Sequence, residues 1–301
     1  MPTVSVVIPS YRGGQYLRES VDSVRAQTLE DLEIIVVADG CEEDFSDIEK
    51  DPRVRVFRQR NRGESIARNM GIGLAQAELI ALLDDDDRML PDRLLAQREA
   101  MTDESVTLCH TQFQVIDSEG TVIGPGISRE SQYLDFLRTD GRIVISSTML
   151  RKSVLQAVGG FNPLMPLGAD LDLLYRVARE GKVRFLPEVL TEYRVHGNNI
   201  WFNSSSSGGE EIKLILAHHR LIAQSRGETE TLKAIREGSK YVLPGRAQFA
   251  LERADEARLD HDYPKAAYAF AQAMAIAPSA VPRVVVRALR RERQQQRKNS
   301  A

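Results

Sequence analysis

Leu79-Ile80-Ala81-Leu82-Leu83-Asp84-Asp85-Asp86-Asp87 decides how this chain is read. Aliphatic residues in unbroken succession, without polar alternation, make a strand buried on both faces. Four carboxylates follow with no spacer. Like charges this close repel, and a plain turn rarely needs more than one or two of them. Mg²⁺ and Mn²⁺ relieve such repulsion through oxygen ligands. A helix-capping turn ahead of Pro91-Asp92 is the plainer alternative, and the position at a strand end favours the cation.

Working outward, three more strand-like runs, apolar but for Ser5 and Arg55, precede that strand: Val4 to Ile8 ended by Pro9, Ile34 to Val37 stopped by Asp39-Gly40, and Val54 to Phe57. Helical spacing lies between them. Leu17, Val21 and Val24 share one face, and Ser65 is placed to cap a helix carrying Ile66, Met70 and Leu74. Apolar strands alternating with helices predict a parallel sheet covered on both faces. In such sheets ligands bind beyond the carboxyl ends of the strands. Ser10, Tyr11, Asp39 and Asp84 to Asp87 are therefore expected around one crevice.

From Val106 to Arg194 the pattern changes. Asp117-Ser118-Glu119-Gly120 reads as a turn between Phe113–Ile116 and Thr121–Ile123. Val144 to Leu150 reads as a strand, Asp170 to Glu180 as a helix stopped by Gly181, and Val183 to Leu186 and Val189 to Arg194 as closing strands. The expected division is a first domain over 1–203, its halves 1–105 and 106–203 facing donor and acceptor. A Ser/Gly linker over 204–209 and a helical region over 210–301 with a basic tail follow. Tyr263, Ala266, Ala267, Phe270, Ala273 and Pro278 loosely resemble half a tetratricopeptide unit, but a plain helical hairpin is the simpler reading. The tail, Arg283 to Lys298, combines basic residues with apolar Val284, Val285, Val286 and Leu289. It suits an anionic membrane surface or a solvated helix end.

Composition narrows the class. The chain has 301 residues, 42% of them hydrophobic, and a net charge of -3. That balance excludes a nucleic-acid binder and an acidic disordered protein. Two cysteines, Cys41 and Cys109, show no metal spacing, and a reduced cytosolic compartment is expected. The N-terminus shows no signal-peptide pattern, and no apolar stretch reaches the ~20 residues that cross a bilayer.

Taken singly, other residues are ambiguous. Asp39 suits a base N–H or a ribose hydroxyl or an ordinary Asp-Gly turn. Tyr11 offers a stacking ring or simple packing. Arg68 suits a phosphate, the aspartate cluster or an exposed helix face. Asp170 and Asp172 open a helix, where acids are common for dipole reasons. A lone His196 is more often structural than a ligand.

Four segments together resemble the family-two glycosyltransferases, inverting enzymes of GT-A fold, over roughly residues 2–200. They are Val4 to Tyr11, Leu29 to Gly40, Gly63 to Gly71 with its Ala67-Arg68-Asn69-x-Gly71, and Leu83 to Asp87 with Pro91-Asp92. The resemblance implies an α/β, Rossmann-like, mostly parallel sheet flanked by helices, with the helical region as a C-terminal extension. By position it implies Pro9, Ser10 and Tyr11 at the nucleotide, Asp39 on the base edge, and Arg68, Asp84 and Asp85 in the nucleotide-sugar site. Asp86 becomes the main ligand of Mn²⁺ or Mg²⁺, with His196 a second candidate from the Tyr193-Arg194-x-His196 match. Gly159-Gly160-Phe161 and Asp170-Leu171-Asp172 resemble the acceptor motif, whose first Asp is the catalytic base, here Asp170. The chain departs from the pattern at Ala38, usually Asp, and at Ala169, usually Glu.

The resulting expectation is an inverting transfer from a nucleoside-diphosphate sugar, UDP favoured, to a hydroxyl of a glycan or lipid-linked acceptor. It would serve polysaccharide, glycolipid or cell-surface glycan synthesis, in the cytoplasm or peripherally at the inner face of the membrane. A catalytically silent interaction subunit, suggested by Ala38 and Ala169, is the alternative. A glycoside hydrolase pairing Asp86 with Asp170 leaves the aspartate run unexplained.

Overall fold

The computed structural model describes residues 1–139, 143–165, 168–196, 209–259, 261–278 and 281. It divides into two compact units, Met1–Phe136 with Gly141–Gly197, and Leu137–Asp140 with Asn198–Ala301. The Ser/Gly segment at 204–208 and the basic tail from Arg283 lie outside the described residues.

The first unit is built on β1 (Val4–Ser10), β2 (Leu32–Asp39), β3 (Val54–Gln59) and β4 (Leu79–Leu82). These pair in parallel in the order β3-β2-β1-β4. Every residue of β1 and β2 is buried, as expected of strands covered on both faces. Helix α1 (Gly14–Arg25) buries Leu17, Val21 and Val24 as its spacing predicts, and Ser20 with them.

Helix α2 (Glu64–Leu74) departs from the sequence expectation. Gly63, not Ser65, precedes its first turn, and the buried face is Ala67, Arg68, Gly71 and Ile72 rather than Ile66, Met70 and Leu74. Gly71 explains the rotation. A Cβ there would sit 2.4 Å from Val7 Cγ1 and 3.4 Å from Val37 Cγ2. The helix crosses the sheet at its smallest residue, and this turns Arg68 inward with it.

Beyond β4 the sheet becomes mixed. After β5 (Arg88–Met89) and α3 (Arg93–Ala100) come β6 (Val106–Ile116), β7 (Val122–Pro125) and α4 (Tyr133–Thr139). Then follow β8 (Thr148–Arg151), α5 (Lys152–Ala157), α6 (Ala169–Glu180) and β9 (Lys182–Arg194). The full order is β3-β2-β1-β4-β8-β6-β9-β5, with β7 on β6. Strand β8 runs antiparallel to both β4 and β6. The expected strand from Val144 is instead a 3-10 turn, Ile145–Ser147, leading into this short strand. The two expected closing strands are one, β9, parallel to β6 with register shifts beside Gln112. The turn at Asp117 is present: its Oδ1 accepts from the N–H of Glu119 at 3.0 Å and of Thr121 at 2.8 Å.

The second unit contains α7 (Gly209–Arg226), α8 (Thr229–Ser239), α9 (Val242–Leu259) and α10 (Tyr263–Ile276). Helices α9 and α10 pack through Ala247, Ala250, Ala273 and Ile276, with Val281 in the same cluster. Asp262 caps α10 by accepting from Lys265 N–H at 3.1 Å. Among the described residues no helix is long and apolar enough to cross a membrane.

Candidate active site

Strands β1, β2 and β4 deliver their carboxyl ends to one edge of the sheet. At the end of β1, Ser10 Oγ donates to Asp85 Oδ2 at 2.5 Å. Pro9 is buried inside that strand and Tyr11 is exposed just past it. At the end of β2, Asp39 is buried and accepts three bonds, from Gln59 Nε2 at 2.8 Å, Arg62 N–H at 2.7 Å and Gly63 N–H at 2.8 Å. These bonds fix the turn that enters α2.

Past β4 the four aspartates have four different surroundings. Asp84 donates its N–H to Ser146 Oγ at 3.0 Å, and its Oδ1 accepts from Arg68 at 2.6 Å. Asp85 is held by Ser10. Asp86 meets His196 Nε2 at 3.0 Å, and the His196 ring stacks on Tyr16 with centroids 5.2 Å apart. Asp87 is fully buried; its Oδ1 accepts the Arg194 N–H at 2.8 Å and its Oδ2 has no hydrogen-bond partner.

Arg194, also buried, ties the loop down from β9. It donates to the carbonyls of Asp86 at 2.8 Å and Ser118 at 3.0 Å, and to Glu19 at 2.6 Å, with its guanidinium 4.5 Å from the Tyr16 ring centroid. The Tyr-Arg-x-His segment is therefore a brace for the aspartate loop.

Crowding is visible in the acidities. Burial pushes Asp85 up to about 7, helped by the charges of Asp86 and Asp84 and opposed by the Ser10 hydroxyl. Burial also raises Asp86 and Asp87, with neighbouring aspartates adding to it. Oxygens of Asp84, Asp86 and Asp87 lie within 4.8 Å of one another. Three crowded carboxylates and the orphaned Asp87 Oδ2 suit a hard divalent cation, which takes oxygen ligands.

Arg68 joins the two halves of the site. Its side chain is 3% exposed and serves three carboxylates. Nη2 donates to Asp84 at 2.6 Å and Glu64 at 2.8 Å, and Nη1 to Asp170 Oδ1 at 2.7 Å. Its guanidinium lies 5.0 Å from the Phe161 ring centroid. The next residue, Asn69, clamps the Phe161 backbone, accepting its N–H and donating to its carbonyl, both at 2.8 Å. Gly160 permits this: it has φ +67°, and a Cβ would lie 2.4 Å from Asn69 Oδ1. The Ala67-Arg68-Asn69 and Gly159-Gly160-Phe161 motifs are thus two sides of one contact.

Asp170 and Asp172 face different surroundings. Asp170, in the first turn of α6, keeps a side chain 41% exposed. Crowding by protein nonetheless raises its pKa, with Arg68 opposing and Asp84 adding. Asp172 is turned inward onto Arg176, accepting from Nε at 2.9 Å and Nη2 at 2.5 Å. Arg176 also holds the carbonyls of Val158 and Gly160. Sequence reasoning missed Glu64, Ser146 and the bracing role of Arg194. The only signal for Glu64 was its i,i+4 spacing to Arg68.

The profile of the family described as "Glycosyl transferase family 2" matches residues 5–159. An uncharacterised glycosyltransferase of Nostoc sp. is 30% identical over 224 residues, 69% of each chain. An uncharacterised glycosyltransferase of Rickettsia bellii is 30% identical over 66% of this chain, which spans only 30% of that protein. Chondroitin synthase of Pasteurella multocida is 26% identical over 66% of this chain and 21% of its own length. Among solved structures, S. aureus TarS 1-349 in complex with UDP-GlcNAc superposes with a TM-score of 0.67 at 16% identity, covering 92% of this chain and 82% of that one. With the family profile covering more than half of its length and the fold superposing over 92% of it, the chain belongs to glycosyl transferase family 2 and has its GT-A fold.

Proposed function

We propose that the protein is an inverting glycosyltransferase that moves a sugar from a nucleoside diphosphate, UDP favoured, to a hydroxyl acceptor. The observation that carries this reading is Arg68, one buried guanidinium bonded to both Asp84 and Asp170. It brings a candidate base alongside the aspartate loop across 102 residues of sequence. Polysaccharide synthases among the relatives, and UDP-GlcNAc in the TarS neighbour, support the substrate class.

In this reading Asp39 and Tyr11, with Pro9 and Ser10, receive the base, and Asp84 and Asp85 lie toward ribose and sugar. A divalent cation, Mn²⁺ or Mg²⁺, held by Asp86 with Asp84, Asp87 and His196 around it, would neutralise charge on the departing diphosphate. Arg68 holds Asp170 by Oδ1, leaving Oδ2 to take the proton of the acceptor hydroxyl. The hydroxyl oxygen bonds to the anomeric carbon as the bond to the diphosphate breaks, and the diphosphate leaves with the electron pair. A single displacement inverts the anomeric centre.

The acceptor is a glycan or a lipid-linked sugar. We place the enzyme in the cytoplasm, with the basic residues from Arg283 to Lys298 drawing it to the inner face of the membrane.

Calorimetry with UDP and Mn²⁺ tests the reading. The intact protein binds UDP only with the metal, Asp86→Ala loses that binding, and Asp87→Ala weakens it less. Unchanged metal-dependent affinity in Asp86→Ala removes the metal assignment. UDP binding with no turnover of any UDP-sugar instead identifies a silent interaction subunit.

A further inference from the structure

We infer that Glu64 is a positioning residue of the reaction crevice, dividing the charge of Arg68 between the donor-side Asp84 and the acceptor-side Asp170. This deepens the proposed function and rests on Asp170 being the base.

The geometry is a three-way competition. Arg68 carries one positive charge and is buried, so water cannot screen it well. Three carboxylates take it: Glu64 at 2.8 Å, Asp84 at 2.6 Å and Asp170 at 2.7 Å. Glu64 and Asp84 share the same nitrogen, Nη2, whereas Asp170 has Nη1 to itself. Arg68 Nε is buried with no partner, so no further acceptor draws on the guanidinium through that atom.

Glu64 differs from its two rivals. It occupies the first turn of α2, beside Gly63, whose N–H is fixed by Asp39. Its side chain is 45% exposed, close to the 41% of Asp170 and above the 24% of Asp84. Its partner Arg68 is buried, so Glu64 acts on the charge balance at that guanidinium more than on the helix, where an ordinary exposed i,i+4 pair adds only a few tenths of a kcal/mol. Crowding by protein and the charges of Asp84, Asp170 and Asp85 raise the Glu64 pKa, with Arg68 opposing. A carboxylate set among like charges serves stability poorly, which argues for a task at the site.

Two consequences of opposite sign follow. Glu64 adds negative charge where a nucleoside diphosphate arrives, so it weakens donor binding. It also draws Arg68 away from Asp170, leaving that carboxylate a stronger proton acceptor. Glu64→Gln keeps a carbonyl oxygen for Arg68 and removes the charge. Donor affinity should then rise while turnover falls. Loss of a scaffold residue would weaken both.

The test uses the full chain at pH 8 and at pH 9, since burial and the neighbouring carboxylates push Glu64 up to about 8 and its negative charge grows between the two. UDP with Mn²⁺ is titrated by calorimetry into wild type, Glu64→Gln and Glu64→Ala. Cleavage of a panel of UDP-sugars is followed in the same proteins and in Asp170→Asn. We expect UDP to bind both Glu64 variants about three- to tenfold more tightly, with cleavage slowed about tenfold. Affinity that is unchanged or weaker in Glu64→Gln overturns the inference, whether or not cleavage is measurable. Tighter binding with undiminished cleavage also overturns it. If Asp170→Asn cleaves donor normally, the base assignment has failed, and this is distinguishable because the binding arm does not involve Asp170→Asn.

Discussion

Asp170→Asn and Asp172→Asn should fail in different observables, and the structure sets the size of each. Asparagine at 170 still accepts from Arg68 Nη1 through its carbonyl, so the side chain keeps its place. What it loses is a proton acceptor on the exposed side of α6. Removal of a general base costs roughly a hundredfold in rate, with no loss of donor affinity and little change in stability. Asp172 is 9% exposed and Arg176 15%, so Asp172→Asn breaks a buried charge pair and leaves the Arg176 charge uncompensated. That loss is about 2–4 kcal/mol, or about 5–10 °C in melting temperature for a unit of this size. Arg176 also supports Val158 and Gly160, so some turnover is lost through the Gly160-Phe161 backbone, less than tenfold by this argument. Thermal unfolding and initial transfer rates on the two variants decide the matter. Normal turnover in Asp170→Asn, or an unshifted melting point in Asp172→Asn, refutes the assignment of roles.

Gly71→Ala should destabilise, although alanine is about 1 kcal/mol better than glycine within a helix; the 2.4 Å approach to Val7 makes overpacking, at about 1–3 kcal/mol, the larger effect, and a raised urea midpoint would contradict it. His110 is buried against Phe185 with neither ring nitrogen bonded, and burial lowers its pKa to about 4. The unfolded chain, with its histidine near 6.5, therefore binds the proton more readily. His110 stabilisation is complete above pH 6.5 and is lost as pH falls toward 4, by about 3 kcal/mol in all; His110→Phe should remove that slope, and parallel stability curves for the two proteins would contradict the argument. The full chain should sediment with anionic vesicles in a salt-sensitive way, and a chain ending at Pro282 should not; equal sedimentation of both rules out the tail as the contact.

The strands that carry the site were legible because their residues are buried on both faces. Val4 to Ile8, Ile34 to Val37 and Leu79 to Leu83 are apolar but for Ser5 and show no regular alternation, and their polar successors fall at one sheet edge. What periodicity missed depended on contacts far along the chain. Arg68 lies on a polar stretch of α2, and its burial needs Gly71 against Val7, Phe161 beneath it and Asp170 on the far side. No local window contains those partners. The helix face expected at Ile66, Met70 and Leu74 failed for the same reason, since close approach at a glycine outweighed the apolar stripe. The strand expected from Val144 became a 3-10 turn because Ser146 and Ser147 turn inward. Ser146 Oγ accepts from Asp84 N–H, and Ser147 Oγ donates to the Val144 carbonyl.

Because β8 lies antiparallel between β4 and β6, its direction changes which residues can join the crevice. Where β1, β2 and β4 contribute the residues that follow them, β8 contributes those that come before it, and Ser146 reaches Asp84 from there. A parallel strand in that slot would have brought the loop after Arg151 to the same place. The reversal exchanges the informative flank: variation just ahead of Thr148 should alter substrate handling, whereas variation just after Arg151 should fall on the opposite rim of the sheet.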